Sequence, residues 1–216
     1  MLADFQHQHP EIEVRIAADN AVRDLERDRL DVAIRYSTLK LAGVGAQWLF
    51  GERTQPVCSP KLRGINKLRN GEDLCNFVLL HFDDPRQHTP WLTWDVWFET
   101  MKIKPRAPKG VVRFSHYDMM LRAAINGQGI ALGRLPLIAS LLDDRALIAP
   151  LDDARYGATA QDRAYWLKAA DTARAKPEVR TFIAWLISKS APLGKTVASD
   201  EAVSLLLRPH FQPISL

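Results

Sequence analysis

His81-Phe82-Asp83-Asp84-Pro85, followed by His88, gathers residue types that ligate metals. Imidazole and carboxylate donors close a coordination shell only when their spacing brings them onto one surface. Here they lie in a proline-containing stretch with no further ligand at a set interval, so no metal site is expected. His7 and His9 stand two residues apart at the end of an expected helix, where they do not share a face, and read as surface residues. Cys58 and Cys75 form no C-x-x-C pair. They give neither a zinc spacing nor a disulfide framework, and they fit a reducing compartment. Nucleophile elbows, H-E-x-x-H pairs, phosphate loops and dinucleotide fingerprints are all missing. No catalysis, no metal and no cofactor are expected.

Binding chemistry is better represented. In open α/β sheets, ligands sit beyond the carboxyl ends of the strands. Residues 31–36 read as a strand that delivers Tyr36 and Ser37 to such an edge. Residues 110–114 read as another, delivering Ser115 and His116 at the start of the next helix. Unpaired N–H groups and the positive end of a helix dipole favour a carboxylate there. The same residues also have structural roles open to them. Ser115 can cap its helix, Tyr36 can pack a hinge, His116 can face solvent, Arg35 can turn away into a salt bridge, and Tyr165, on the strand at 165–168, can be core.

The elements that must position these residues follow from periodicity. Residues 1–9 resemble the tail of an amphipathic helix, and residues 11–17 alternate Ile12, Val14 and Ile16 with polar neighbours as a strand does. Asn20 is placed to cap a short helix through Leu30, with Val22, Leu25 and Leu30 inward. The Val32-Ala33-Ile34 run suits a strand covered on both faces. Further strands are expected at 47–50, 54–59, 78–82, 110–114, 130–132 and 165–168. Trp91, Trp94, Trp97 and Phe98 fall at helical spacings. Ser115 and Asp118 resemble a capping box ahead of a helix whose inner face carries Met119, Met120, Ala123 and Ala124. Gly127 stands where a helix end wants a left-handed residue, and Pro136 opens the next helix. Pro177 begins a helix with Val179, Phe182, Ile183 and Leu186 on one face. That pattern stops after Lys189; a short helix is possible at residues 201–207. Strands alternating with helices are the grammar of an α/β fold.

A chain of 216 residues can bury a core in one domain or two small lobes. Its net charge of +4 does not indicate nucleic-acid binding, because stretches such as residues 23–29 interleave both signs. No apolar run approaches the roughly 20 residues that span a bilayer. The first residues lack the basic flank and apolar stretch of a signal peptide. A cytoplasmic protein is expected.

Three segments, in order and at these separations, carry a family likeness: Asp31-Val32-Ala33-Ile34-Arg35-Tyr36, Pro56-Val57-Cys58-Ser59-Pro60, and Asn126-Gly127-Gln128-Gly129-Ile130-Ala131-Leu132-Gly133. From about Leu2 to about Lys189 the chain resembles the effector-binding domain of LysR-type transcriptional regulators, in the subgroup related to the glycine-cleavage activators. The resemblance implies two Rossmann-like lobes joined by a two-strand hinge, the type 2 periplasmic-binding-protein fold. Lobe one would be residues 1–56 and 165–189, lobe two residues 57–164, and residues 190–216 a tail. It implies a small amino acid or organic acid held between the lobes by Tyr36, Ser37, Ser115, His116 and Tyr165. It also implies an antiparallel homodimer, and DNA contact only through an N-terminal helix-turn-helix that does not precede these segments here. Family members carry a first strand before the helix in which this chain begins, central to the lobe-one sheet. A truncated start is therefore expected, with chain stability lowered by the missing strand. The other reading is the solute-binding protein of a transporter, which shares the two-lobe logic; a small α/β enzyme is disfavoured by the missing motifs.

Overall fold

The computed structural model describes residues 2–18, 22–83, 92–151 and 154–197. It divides into two compact units, Met1–Gly51 with Gln161–Leu216, and Glu52–Ala160. Each is an α/β layer with its own apolar interior.

The first unit opens with α1 (Leu2–Gln8), whose Phe5 is fully buried. Phe5 packs edge-on against Phe182 and tilted against Trp185, each at 5.1 Å between ring centroids. Both partners lie on α6 (Pro177–Val197). Strand β1 (Val32–Thr38) pairs antiparallel with β6 (Ala158–Ala169), in a register that sets Tyr36 opposite Tyr165 and Ser37 opposite Ala164. After β1 the chain makes the single turn α2 (Leu39–Ala42), capped by the Thr38 hydroxyl. It then enters β2 (Gln47–Val57). Leu49, Phe50, Tyr165 and Leu167 form one core cluster, with Ile183, Leu186 and Ile187 of α6 packed against it. Their spacing is the helical stripe expected from Pro177 onward.

The second unit holds the parallel part of the sheet. Strand β3 (Val78–Phe82) pairs in parallel with β4 (Gly110–Phe114) on one side and β5 (Ile130–Arg134) on the other, and β5 runs antiparallel to β2. Helix α3 (Trp94–Thr100) connects β3 to β4, and α4 (Tyr117–Ile125) connects β4 to β5. Trp94, Trp97 and Phe98 bury themselves with Leu74, Leu79 and Leu132, and the Trp94 indole donates to the Leu80 carbonyl at 3.0 Å. Met120, Ala123 and Ala124 of α4 pack with Leu80, Ala131 and Ile138. Gly127 takes φ +72°, the left-handed turn that ends the α4 connection. A 3₁₀ turn at Leu135–Ile138, with Pro136 near its start, leads into the short α5 (Ala139–Asp143).

Several expectations are corrected. Residues 11–17 form no strand, and Ile16 is 70% exposed. Period-2 patterning marks a face but supplies no ladder partner, and a strand needs both. The expected helix through Leu30 is reduced to a turn around residues 25–29, with Arg29 at φ +53° and Val22 83% exposed. Leu25 is buried in the core and Leu30 packs partly buried against the same cluster, as expected of both. Residues Asn20 and Trp91, together with 198–216, lie outside the described residues, so the possible helix at 201–207 does too.

Among the described residues β1 pairs only with β6, and Ile34 is 51% exposed, so β1 is an end strand and not one covered on both faces. The strands expected at 47–50 and 54–59 are one strand of 11 residues, β2, and β6 begins earlier than residue 165. Both long strands pass from one unit into the other. The hydrogen-bonded strand order is β1-β6-β2-β5-β3-β4. Met119 is 54% exposed, because a residue adjacent to Met120 points about 100° away from it around the helix. Finally, α6 continues past Lys189 to Val197, with Pro192 inside it and Ser190 buried.

Candidate functional site

Within the first unit, Tyr36 and Tyr165 face each other across the β1–β6 ladder, ring centroids 4.9 Å apart. Phe50 stacks on Tyr165 at 4.5 Å with the planes 30° apart. Three aromatic rings from three strands thus make one wall, and Tyr165 is 7% exposed. Ser37 follows Tyr36 on the same strand, so alternation points its side chain to the other face. Its hydroxyl donates to the Thr38 carbonyl at 3.2 Å, and its own carbonyl accepts from the Trp166 indole at 2.9 Å. Tyr36 and Tyr165 are brought together; Ser37 is not brought to their face. The Arg35 guanidinium donates to the Arg23 carbonyl at 2.5 Å, a hydrogen bond to backbone where a salt bridge was the alternative to ligand binding.

Within the second unit, Ser115 and His116 sit at the carboxyl end of β4, at the start of α4. Ser115 Oγ lies 3.0 Å from His116 Nδ1. The residue in the N-cap position is His116, with extended dihedrals, and it makes no side-chain cap hydrogen bond. The expected Ser115–Asp118 capping box is absent, because the helix starts one residue later than that box requires. An uncapped start leaves first-turn N–H groups for another acceptor, and the helix dipole makes an anion the favoured one.

Directly behind this helix start is a buried polar group that the sequence reading missed. The Tyr117 hydroxyl accepts from the Arg134 backbone N–H at 2.8 Å and donates to the Leu132 carbonyl at 3.3 Å, tying α4 to the end of β5. Burial pushes the phenol well above its ordinary range, so it stays protonated and can act as that donor. The Arg134 guanidinium forms an ion pair with Glu52, whose side chain is 1% exposed. Glu52 follows the buried Phe50 by two residues on β2, so alternation puts it on the same face, where a buried carboxylate needs a partner.

His81 is half-buried on β3, and its pKa lies below the ordinary imidazole value because burial, and then the Arg113 cation, disfavour its charged form. Asp83 pairs with Arg113 at 3.7 Å on the exposed edge. Asp84, Pro85 and His88 lie outside the described residues. Among the described residues no cluster of three or more histidine, cysteine or acidic side chains could hold a metal ion. No helix among them is long and apolar enough to cross a membrane.

Comparison with known proteins places the chain in a family. The model of the LysR substrate binding domain matches residues 1–191. The chain is 31% identical over 191 residues to the glycine cleavage system transcriptional activator of Escherichia coli K12, covering 88% of this chain and 59% of that protein. It is 27% identical over 187 residues to the HTH-type transcriptional regulator DsdC of the same organism, covering 86% of this chain and 58% of that one. The chain therefore spans less than two thirds of the curated relatives it matches. Among solved structures, the effector domain of AmpR from Pseudomonas aeruginosa superposes with a TM-score of 0.64 at 26% identity, over 91% of this chain and 89% of that one. The effector binding domain of AmpR from Citrobacter freundii gives 0.61 at 26% identity, over 88% of each chain. Such domains have the type 2 periplasmic-binding-protein fold, and with a family match over residues 1–191 this chain belongs to the LysR substrate-binding domain family.

Proposed function

We propose that the chain is the sensing part of a cytoplasmic, LysR-type DNA-binding transcriptional regulator and binds a small amino acid or organic acid. The observation that carries the ligand class is the start of α4. Ser115 and His116 stand at the carboxyl end of a parallel strand, on a helix whose first turn has no side-chain cap. A carboxylate satisfies those donors and is favoured by the dipole. Within the first unit, the Tyr36–Tyr165 pair offers an aromatic wall suited to the apolar part of a small ligand. Of Tyr36 and Ser37, Tyr36 is the side chain that stands beside Tyr165.

In this reading the two units correspond to two lobes, residues 1–56 with 165–189 and residues 57–164, and the effector shifts their relative populations of arrangements. The intact regulator is a homodimer with antiparallel, isologous contacts, and it reaches DNA through an N-terminal domain. The domain itself turns over nothing. The relatives' roles as transcriptional activators and regulators support this over a transporter's solute-binding protein. The test is a thermal-shift panel of amino acids and small organic acids on the purified chain. A carboxylate that raises the melting temperature in a saturable, concentration-dependent way supports the reading. A panel in which only sugars or cations do so contradicts it.

A further inference from the structure

The second unit carries a basic hollow that the effector reading does not use. Residues 61–69 hold Lys61, Arg63, Lys67 and Arg69, and residues 102–109 hold Lys102, Lys104, Arg106 and Lys109. Neither stretch contains a carboxylate, although the formal charge of the whole chain is only +4. In sequence they are more than thirty residues apart. The fold brings Arg63 and Lys67 of the first stretch and Lys109 of the second to one place, near the amino-terminal ends of β3 and β4. There a hollow of about 490 Å³ is lined by Arg63, Lys67, Lys109, Asn76 and Gln128, with Phe77 at its apolar side.

The hydrogen bonding around the hollow shows what it offers. Arg106 donates to Asn76 Oδ1 at 2.5 Å, so the group Asn76 has left to present is its amide nitrogen, a donor. The intervening turn contains two acids. Asp73 accepts from the Arg69 and Asn70 backbone amides, and neither Asp73 nor Glu72 lines the hollow. Three cations and side-chain amides around a concave site, with no carboxylate among the described residues that line it, form a donor set that matches an oxyanion of multiple charge. The volume is that of a small-molecule site, whereas a duplex presents a convex rod of phosphates.

We infer that this hollow is a second binding site, for a compact polyanion carrying two or more phosphate groups. It is independent of the Ser115–His116 site. Lys109 precedes β4 and Ser115 follows it, so the two lie at opposite ends of a strand roughly 15 Å long. A ligand here would give the domain a second input.

The probe is inorganic tripolyphosphate, titrated calorimetrically into the 216-residue chain at about 0.15 M salt, where diffuse surface attraction is screened. The expected result is saturable binding at one site and a raised melting temperature. The triple variant Arg63→Gln, Lys67→Gln, Lys109→Gln should bind at least about tenfold more weakly, while Lys102→Gln with Lys104→Gln, whose side chains do not line the hollow, should retain binding within about twofold. Ser115→Ala should leave tripolyphosphate affinity unchanged, which separates this site from the effector reading. All these substitutions are at exposed or partly exposed positions, and circular dichroism confirms that each variant is folded. Duplex DNA at equal phosphate concentration should fail to displace the probe. Absence of saturable binding overturns the proposal, as does equal loss in the two basic variants. Displacement by DNA reassigns the face to a nucleic-acid backbone and also overturns it.

Discussion

Tyr36 and Tyr165 are cross-strand partners, rings 4.9 Å apart, and Phe50 stacks on the second of them at 4.5 Å. The pair ties an end strand, β1, to the long strand β6, and so secures β1. Tyr165→Ala should lower the unfolding free energy by about 3–5 kcal/mol, the scale of deleting a buried aromatic side chain. Tyr165→Phe keeps the ring and should cost far less. Urea titrations of both variants check this, and equal losses would show that the hydroxyl, not the ring, carries the contact.

The Glu52–Arg134 pair is the second structural prediction. Removing one partner leaves a buried charge uncompensated. Glu52→Gln or Arg134→Met alone should each destabilise the chain by about 3–5 kcal/mol, and the double variant Glu52→Leu, Arg134→Met should recover most of that loss. A double-mutant cycle in denaturant measures the coupling. Additive losses would mean that the two groups do not act as a pair.

The cysteines should be silent in the native state. Burial pushes the Cys58 thiol up to about 12, and Cys75 is raised for the same reason. The thiolate is the reactive form, so an alkylating reagent near pH 8 should modify neither residue until denaturant is added. Rapid labelling of the folded chain would contradict the burial of both.

His81 should make stability depend on pH. Its folded pKa is lowered from 6.5, chiefly by burial, so the unfolded chain binds the proton more readily. Stability from this residue is therefore present above the unfolded pKa and falls as pH drops through about 6.5 toward the folded value. His81→Gln should flatten the melting-temperature profile in that window. An unchanged slope would assign the pH dependence to other groups.

Sequence alone showed the parallel half of the fold more clearly than the antiparallel half. Strands β3 and β4, the left-handed Gly127 and the start of α6 at Pro177 each rest on local signals, namely an apolar run, a glycine after a helix, and a proline at a first turn. Residues 11–17 and 22–30 misled because their patterns specify a face but no partner. The Glu52–Arg134 pair was hidden because its members are 82 residues apart, and only the β2–β5 register brings them together. Of the candidate site, the pairing of Tyr36 with Tyr165 depended on register in the same way. The placement of Ser37 on the opposite face was already implied by strand alternation. The helix start near Ser115 was read correctly to within one residue, and that residue decides whether the serine caps the helix or remains available beside His116.

The most direct test of the sensing reading is calorimetric titration of a confirmed carboxylate effector into the parent chain and Ser115→Ala. The account predicts measurable binding to the parent, and a loss of about 1–2 kcal/mol in the variant, the scale of one hydrogen bond to a charged group. Equal affinity in the two proteins would remove Ser115 from the site and contradict the assignment of the α4 start as the carboxylate-binding element.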